Sequence, residues 1–156
     1  MRRRLRGVLI AVVVGTLVTG GCNPFAEPSY EEASIELKNL VDEALAAGLG
    51  DNPGPSKVAV QQDGCQDRNG VPTDEVQPAY EYHFPIELLG ANPDAVKFVE
   101  AAENVWMEHG IDVDRHDTQG VVGSFGVGKG FNLEVFVNFN NAKALVAGNG
   151  PCVSRY

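Results

Sequence analysis

Residues 130–139 read GFNLEVFVNF, and their alternation decides the fold. Phe131, Leu133, Val135, Val137 and Phe139 fall on one side of an extended chain, and Asn132, Glu134, Phe136 and Asn138 on the other. A period of two with one apolar side is the pattern of a strand in a sheet that is covered on one face and wet on the other. Turn chemistry brackets it: Gly128-Lys129-Gly130 reads as a hairpin, and Asn140-Asn141 as a second turn leading to a short strand over 144–147. Upstream, an extended run over 120–127 feeds the first hairpin, and Ile111 and Val113 begin a strand before that. Connections this short imply antiparallel pairing.

Two helical patterns stand outside this strand-rich half. Ser29-Tyr30-Glu31-Glu32 has the capping-box form behind Pro28, and Leu37, Leu40, Val41, Ala44 and Leu45 then recur three and four apart until Gly48 and Gly50. The spacing predicts a helix over 29–48. A turn follows over 51–55, then a brief strand over 57–61 carrying Val58 and Val60, and a polar loop over 62–77. Tyr80, Tyr82, Phe84, Ile86 and Leu88 alternate with Glu81, His83, Pro85 and Glu87, which predicts a strand; Pro85 lacks an amide donor and so belongs at an edge or a bulge. Asn92-Pro93-Asp94 predicts the start of the second helix, with Asn92 as the cap and Pro93 at the first helical position. Its buried stripe is Ala95, Phe98, Val99, Ala102, Val105 and Trp106, its wet side Lys97, Glu100, Glu103 and Glu108, and His109-Gly110 closes it. The expected fold is α+β: two helices packed on one face of an antiparallel sheet of about five strands, in the order α-β-β-α-β-β-β.

The N-terminus has its own chemistry. Arg2, Arg3, Arg4 and Arg6 precede an apolar run over 7–18, and Thr19-Gly20-Gly21 are small residues directly before Cys22. That order predicts a signal peptide over 1–21, its apolar run shorter than the roughly 18 residues a permanent span needs. The small residues before Cys22 resemble the lipobox of bacterial lipoproteins, with Thr19 in place of the usual branched residue. The resemblance implies a diacylglyceryl thioether on Cys22, further acylation of the palmitate kind, and cleavage that makes Cys22 the new N-terminus. The alternative is an ordinary secretory signal with Cys22 as a spare thiol. Residues 22–28 form a tether of at most about 20 Å, and 29–156 the single globular domain. With Cys22 lipidated, an oxidising compartment leaves one pairing for the remaining thiols, Cys65 with Cys152; free or metal-binding thiols are the alternative.

Charge excludes two partner classes. The chain carries 12 Lys+Arg against 21 Asp+Glu, a net charge of −9, and loss of the four N-terminal arginines takes it to −13. A domain this acidic lacks the basic footprint that nucleic acid and anionic lipid require. At 44% hydrophobic and 21% charged residues it has the composition of a folded chain.

Several motifs have a plainer reading. Residues 123–130 match GxxxxGK, but Gly130 stands where a phosphate loop needs Ser or Thr, and a strand follows where it needs a helix. A glycine hairpin is expected, with no nucleotide. Asp63, Asp67, Asn69 and Gly70 suggest a calcium loop, but registered on Asn69-Gly70 the first ligand falls on Cys65 and the closing Glu on Val76. A structural loop is expected there, with no metal and no cofactor. His83, His109 and His116 lie on different elements, Arg115-His116-Asp117 reads as a solvated connection, and Ser124 has no nucleophile elbow around it. Tyr80, Tyr82, Phe98, Trp106, Phe131 and Phe139 are expected in the core rather than lining a ligand cleft.

Taken with Cys22, the segments Leu37-Lys38-Asn39-Leu40-Val41-Asp42-Glu43-Ala44, the Trp106 helix ending at Gly110, Gly130-Phe131-Asn132-Leu133-Glu134-Val135 and Gly150-Pro151-Cys152-Val153 resemble the small lipoproteins of actinobacteria. The resemblance implies an envelope location and this architecture, in a family largely without assigned activity, and it carries over no catalytic residues. The functional expectation is a lipid-anchored extracytoplasmic module, non-enzymatic, held on the cell membrane through Cys22 and binding an envelope component through its sheet or its helix–sheet cleft. The alternatives are a carrier of an apolar ligand and an envelope hydrolase.

Overall fold

The computed structural model describes residues 27–50, 61–90 and 93–154. Helix α1 spans Tyr30–Leu49 and α2 spans Ala95–Glu108; the strands are β1 (Gln61–Gln66), β2 (Pro72–Pro85), β3 (Asp112–Arg115), β4 (Val121–Gly128), β5 (Phe131–Asn138), β6 (Lys143–Asn149) and β7 (Val153–Ser154). The sheet runs β1-β2-β6-β5-β4-β3, every pair antiparallel, with β7 added beside β2. Both helices lie on one face of it. The fold is the expected α+β arrangement with seven strands in place of about five. No helix among the described residues is long and apolar enough to cross a membrane.

Local chemistry accounts for the boundaries. The Ser29 hydroxyl accepts the Glu32 amide while the Glu32 carboxylate accepts the Ser29 amide, completing the capping box of α1. The second helix is capped two residues later than expected: Asp94, not Asn92, accepts the Lys97 amide, so Pro93 precedes the helix. Asn92 lies outside the described residues. Lys129 and Gly130 have φ of 51° and 84° between the paired Gly128 and Phe131, the two-residue turn with both central residues left-handed that suits a twisted hairpin.

The core fills the layer between helices and sheet. Leu37, Leu40 and Val41 of α1 and Phe98, Val99 and Trp106 of α2 meet Tyr80, Phe84, Leu133, Val135 and Val146 from the strands. Trp106 is fully buried and its indole N–H donates to the Leu40 carbonyl at 3.2 Å, which ties the helices together while satisfying its polar atom. Beneath α2, the carboxylate of Glu103 and the guanidinium of Arg115 form two hydrogen bonds of 2.8 and 2.6 Å. Glu103 is therefore not on the wet side of its helix, because β3 brings Arg115 under it.

Other expectations change for identifiable reasons. The polar loop over 62–77 is instead the hairpin of β1 and β2, and five strands rather than three follow α2, since the stretch begun at Ile111 adds β3 to the edge of the sheet and β7 is added beside β2. The hairpin carries no alternation because it overhangs the core: Pro72, Asp74 and Glu75 are exposed and Val76 is the first buried residue of β2. The expected strand over 57–61 lies outside the described residues except for Gln61. The strand expected to run to Leu88 stops at Pro85, which pairs with Lys143 alone because among the described residues β1 pairs with β2 only as far as Ala79, and Ile86–Leu89 form a 3-10 turn ended by Gly90. Phe139 is 43% exposed instead of buried, because β5 ends at Asn138 and the alternation ends with it.

Candidate functional site

The predicted motifs resolve one by one. Cys22 lies outside the described residues. Cys65 and Cys152 form a disulfide that fastens the β1–β2 hairpin to the chain just before β7. Among the described residues the one group of three neighbouring metal-ligating side chains is Cys65, Glu75 and Cys152, and the disulfide already occupies both sulfurs. In the segment considered for calcium, one oxygen of Asp67 accepts the amides of Asn69 and Val71. Those bonds hold its carboxyl below the usual range and make it the clasp of a turn. Residues 123–130 are strand β4 and its hairpin, with β5 following.

The histidines separate: His109 Nε2 meets Glu43 at 2.8 Å at the end of α2, His83 Nε2 meets Glu81 at 3.1 Å on β2, and the His116 ring lies edge-on to Phe125. Ser124 is fully buried and donates to the Asp114 carbonyl. Arg115 is committed to Glu103 and Asp117 accepts the Gly123 amide, so the run 115–117 acts as fastening for β3 and β4. Burial pushes the Glu103 carboxyl up, but the Arg115 guanidinium and the neighbouring Ser124 hydroxyl outweigh it and hold the group below its ordinary range. Tyr80, Tyr82, Phe98, Trp106 and Phe131 are buried as expected.

What the structure assembles is the other face of the sheet. Strand register places Glu81, Ala147, Glu134, Phe125 and Asp114 in a single row across β2, β6, β5, β4 and β3, with acids at alternate strands. Neighbouring strands are about 4.8 Å apart, which sets the acids roughly 10 Å from one another. The adjoining row runs His83, Leu145, Phe136 and Gly123. Gly123 has no side chain because the Phe136 ring lies across it: a Cβ there would stand 2.1 Å from that ring. Phe136 in turn meets Phe125 edge-to-face with centroids 5.0 Å apart. Phe125 and Val127, on the same side of β4, are 39% and 57% exposed, which makes an apolar strip in the open.

Two recesses flank the strip. One of about 200 Å³ lies among Glu81, Glu134, Asn132, Asn149, Ala147 and Phe125; another of about 510 Å³ lies beside His83, Val121, Phe136, Lys143 and Leu145. Within the first, Glu134 is half-buried, and no described group donates a hydrogen bond to it. Its burial, and then the charge of Glu81, push its carboxyl above the ordinary range against a smaller opposing effect of His83. Sequence reasoning had Glu81, His83, Glu134 and Phe136 on wet sides of strands but gave no sign that they adjoin, because their neighbourhood is a property of pairing between β2, β6 and β5.

No family model matches the chain. No curated protein matches it either. Among solved structures, one described as the "putative lipoprotein LppA" from Mycobacterium tuberculosis is similar, with 12% identity, a TM-score of 0.40, and 80% of this chain and 78% of that one covered.

Proposed function

We propose that the protein is a lipid-anchored, extracytoplasmic lipoprotein of the cell envelope that works as a non-enzymatic binding module, using the uncovered face of its sheet. The carrying observation is the division of labour between the two faces. Both helices pack on one, with Trp106, Leu37 and Leu40 filling the layer between, while the other keeps Phe125 and Val127 in solvent beside a half-buried carboxylate. An apolar strip with a polar rim is the usual form of an interaction surface. The filled layer favours this face over the helix–sheet cleft and over a carrier of an apolar ligand. Residues 1–21 are the signal peptide in this reading, 22–28 the tether and 29–156 the domain, with the membrane reached through the lipid on Cys22 and no part for nucleic acid or nucleotide.

The test is a photoreactive phenylalanine analogue placed at Phe125 in the full chain, irradiated in the native membrane. An adduct with an envelope component is expected at that position and none with the analogue at Ile35, an exposed residue on the helical side. Equal labelling from both positions, or none from Phe125, would remove the open face from the account.

A further inference from the structure

We infer that the open face docks a basic segment of a partner polypeptide, with an arginine or lysine head seated beside Glu134 and apolar side chains laid on Phe125, Val127 and Phe136. The inference rests on the reading of this face as a binding surface and names the chemistry of what it binds. Charge complementarity selects the partner. Glu81, Glu134, Asp112 and Asp114 all belong to this face, against Lys143 and the histidines His83 and His116. A second copy of the same acidic face is repelled, and an anionic surface likewise.

The recess has the size and lining for one cationic side-chain head. At about 200 Å³ it is too small for a folded element. Glu81 and Glu134 stand on either side of Ala147, whose methyl leaves the gap between them open. Ionised carboxylates only accept hydrogen bonds, and the amide oxygens of Asn132 and Asn149 add acceptors at the rim. A guanidinium is planar and wide, weakly hydrated, and supplies five donors, so it can reach acids on two sides while its plane rests against the Phe125 ring. A metal ion needs several ligand atoms drawn close together, and Glu81, His83 and Glu134 do not come within 4.8 Å of one another as a set.

Glu134 supplies the independent sign. It is half-buried with no described hydrogen-bond donor, beside a second acid, on a face where the neighbouring Phe125 and Val127 are apolar and exposed. A carboxylate in that position is unfavourable in the free protein and favourable once a cation covers it. The polypeptide nature of the partner follows from the surroundings of the acids: the apolar strip over Phe125, Val127 and Phe136 requires apolar groups within a few ångströms of the cation, as in a chain alternating basic and branched residues.

The probe is a capped hexapeptide alternating arginine with valine, titrated into the isotopically labelled full chain in zwitterionic micelles, with the citrulline-for-arginine peptide as its neutral twin. Amide shifts should cluster on Glu81, Glu134, Ala147 and Phe125, the neutral peptide should bind at least about fivefold more weakly, and Glu134→Gln and Glu81→Gln should each weaken the arginine peptide about fivefold. Both variants lie on the solvent side and keep the fold, and Phe125→Ala should weaken both peptides alike. Equal binding of the arginine and citrulline peptides at these residues would overturn the cation while leaving the face a docking surface. Shifts produced there by a neutral oligosaccharide but not by the arginine peptide would overturn the polypeptide partner. An adduct from Phe125 in the membrane without any peptide response would sink this inference and spare the broader one.

Discussion

Glu134 shows how one side chain can report on the purpose of a face. Its carboxyl titrates above the ordinary range because burial and Glu81 disfavour its charge. The native state therefore holds a proton that the unfolded chain has released, in the window between the unfolded value near 4.5 and the raised native one, and stability falls as pH rises through that window. Glu134→Gln removes this penalty. It should raise the melting temperature at pH 7 by about 1 to 3 °C and leave it unchanged below about pH 4, as calorimetry at the two pH values will show; equal shifts at both would contradict the cause given. Gly123 makes the complementary point about packing. An alanine methyl would drive the Phe136 ring off β4, so Gly123→Ala should cost about 1 to 3 kcal/mol in urea denaturation and disperse the Phe125–Phe136 ring contact seen in aromatic proton spectra. Neither effect is visible along the chain: Glu134 reads as one more wet-side acid until β6 brings Glu81 into its row.

At the scale of elements, what was legible depended on whether an element has two distinct sides. Helix α1 emerges within a residue or two of its expected ends because its cap and its apolar stripe are both written locally, in Ser29, Glu32, Leu37 and Leu40. Strand β5 does so because the core beneath it enforces alternation. The β1–β2 hairpin had no such signature, since its outer part is exposed on both sides and is held by the Asp67 clasp and the disulfide. Cys152→Ser should accordingly free that hairpin. The bond closes an 87-residue separation, for which the chain-entropy estimate is about 4 to 5 kcal/mol, an upper figure. The expected result is a lower urea midpoint, with amide exchange rising first in 61–77; uniform exchange across the sheet would argue that the bond acts on the unfolded chain alone. Arg115 and Glu103 bind α2 to β3 in the same tertiary sense. Glu103→Gln should cost about 1 to 2 kcal/mol, read from the same denaturation curves, because it leaves the partly covered guanidinium short of a charge.

For the whole molecule, the cleavage before Cys22 that we propose would remove four arginines and take the net charge from −9 to −13. In that reading an acidic domain on a tether of about 20 Å would be pushed from an anionic bilayer, which would leave attachment to the lipid proposed on Cys22. Cys22→Ser should move the protein from the membrane pellet to the soluble extracytoplasmic fraction, and retention in the pellet after that change would count against the anchor. The sequence by itself determined the α+β class, the helix stripes and the central strands, because each is set by periodicity or by capping chemistry a few residues long. Tertiary structure alone decided which strands adjoin, and hence that β2 and β6 place Glu81 across Ala147 from Glu134, and that the rings of Phe125 and Phe136 meet in the open. Strand order depends on long-range burial summed over the whole core, and no local pattern encodes which distant strand will complete it.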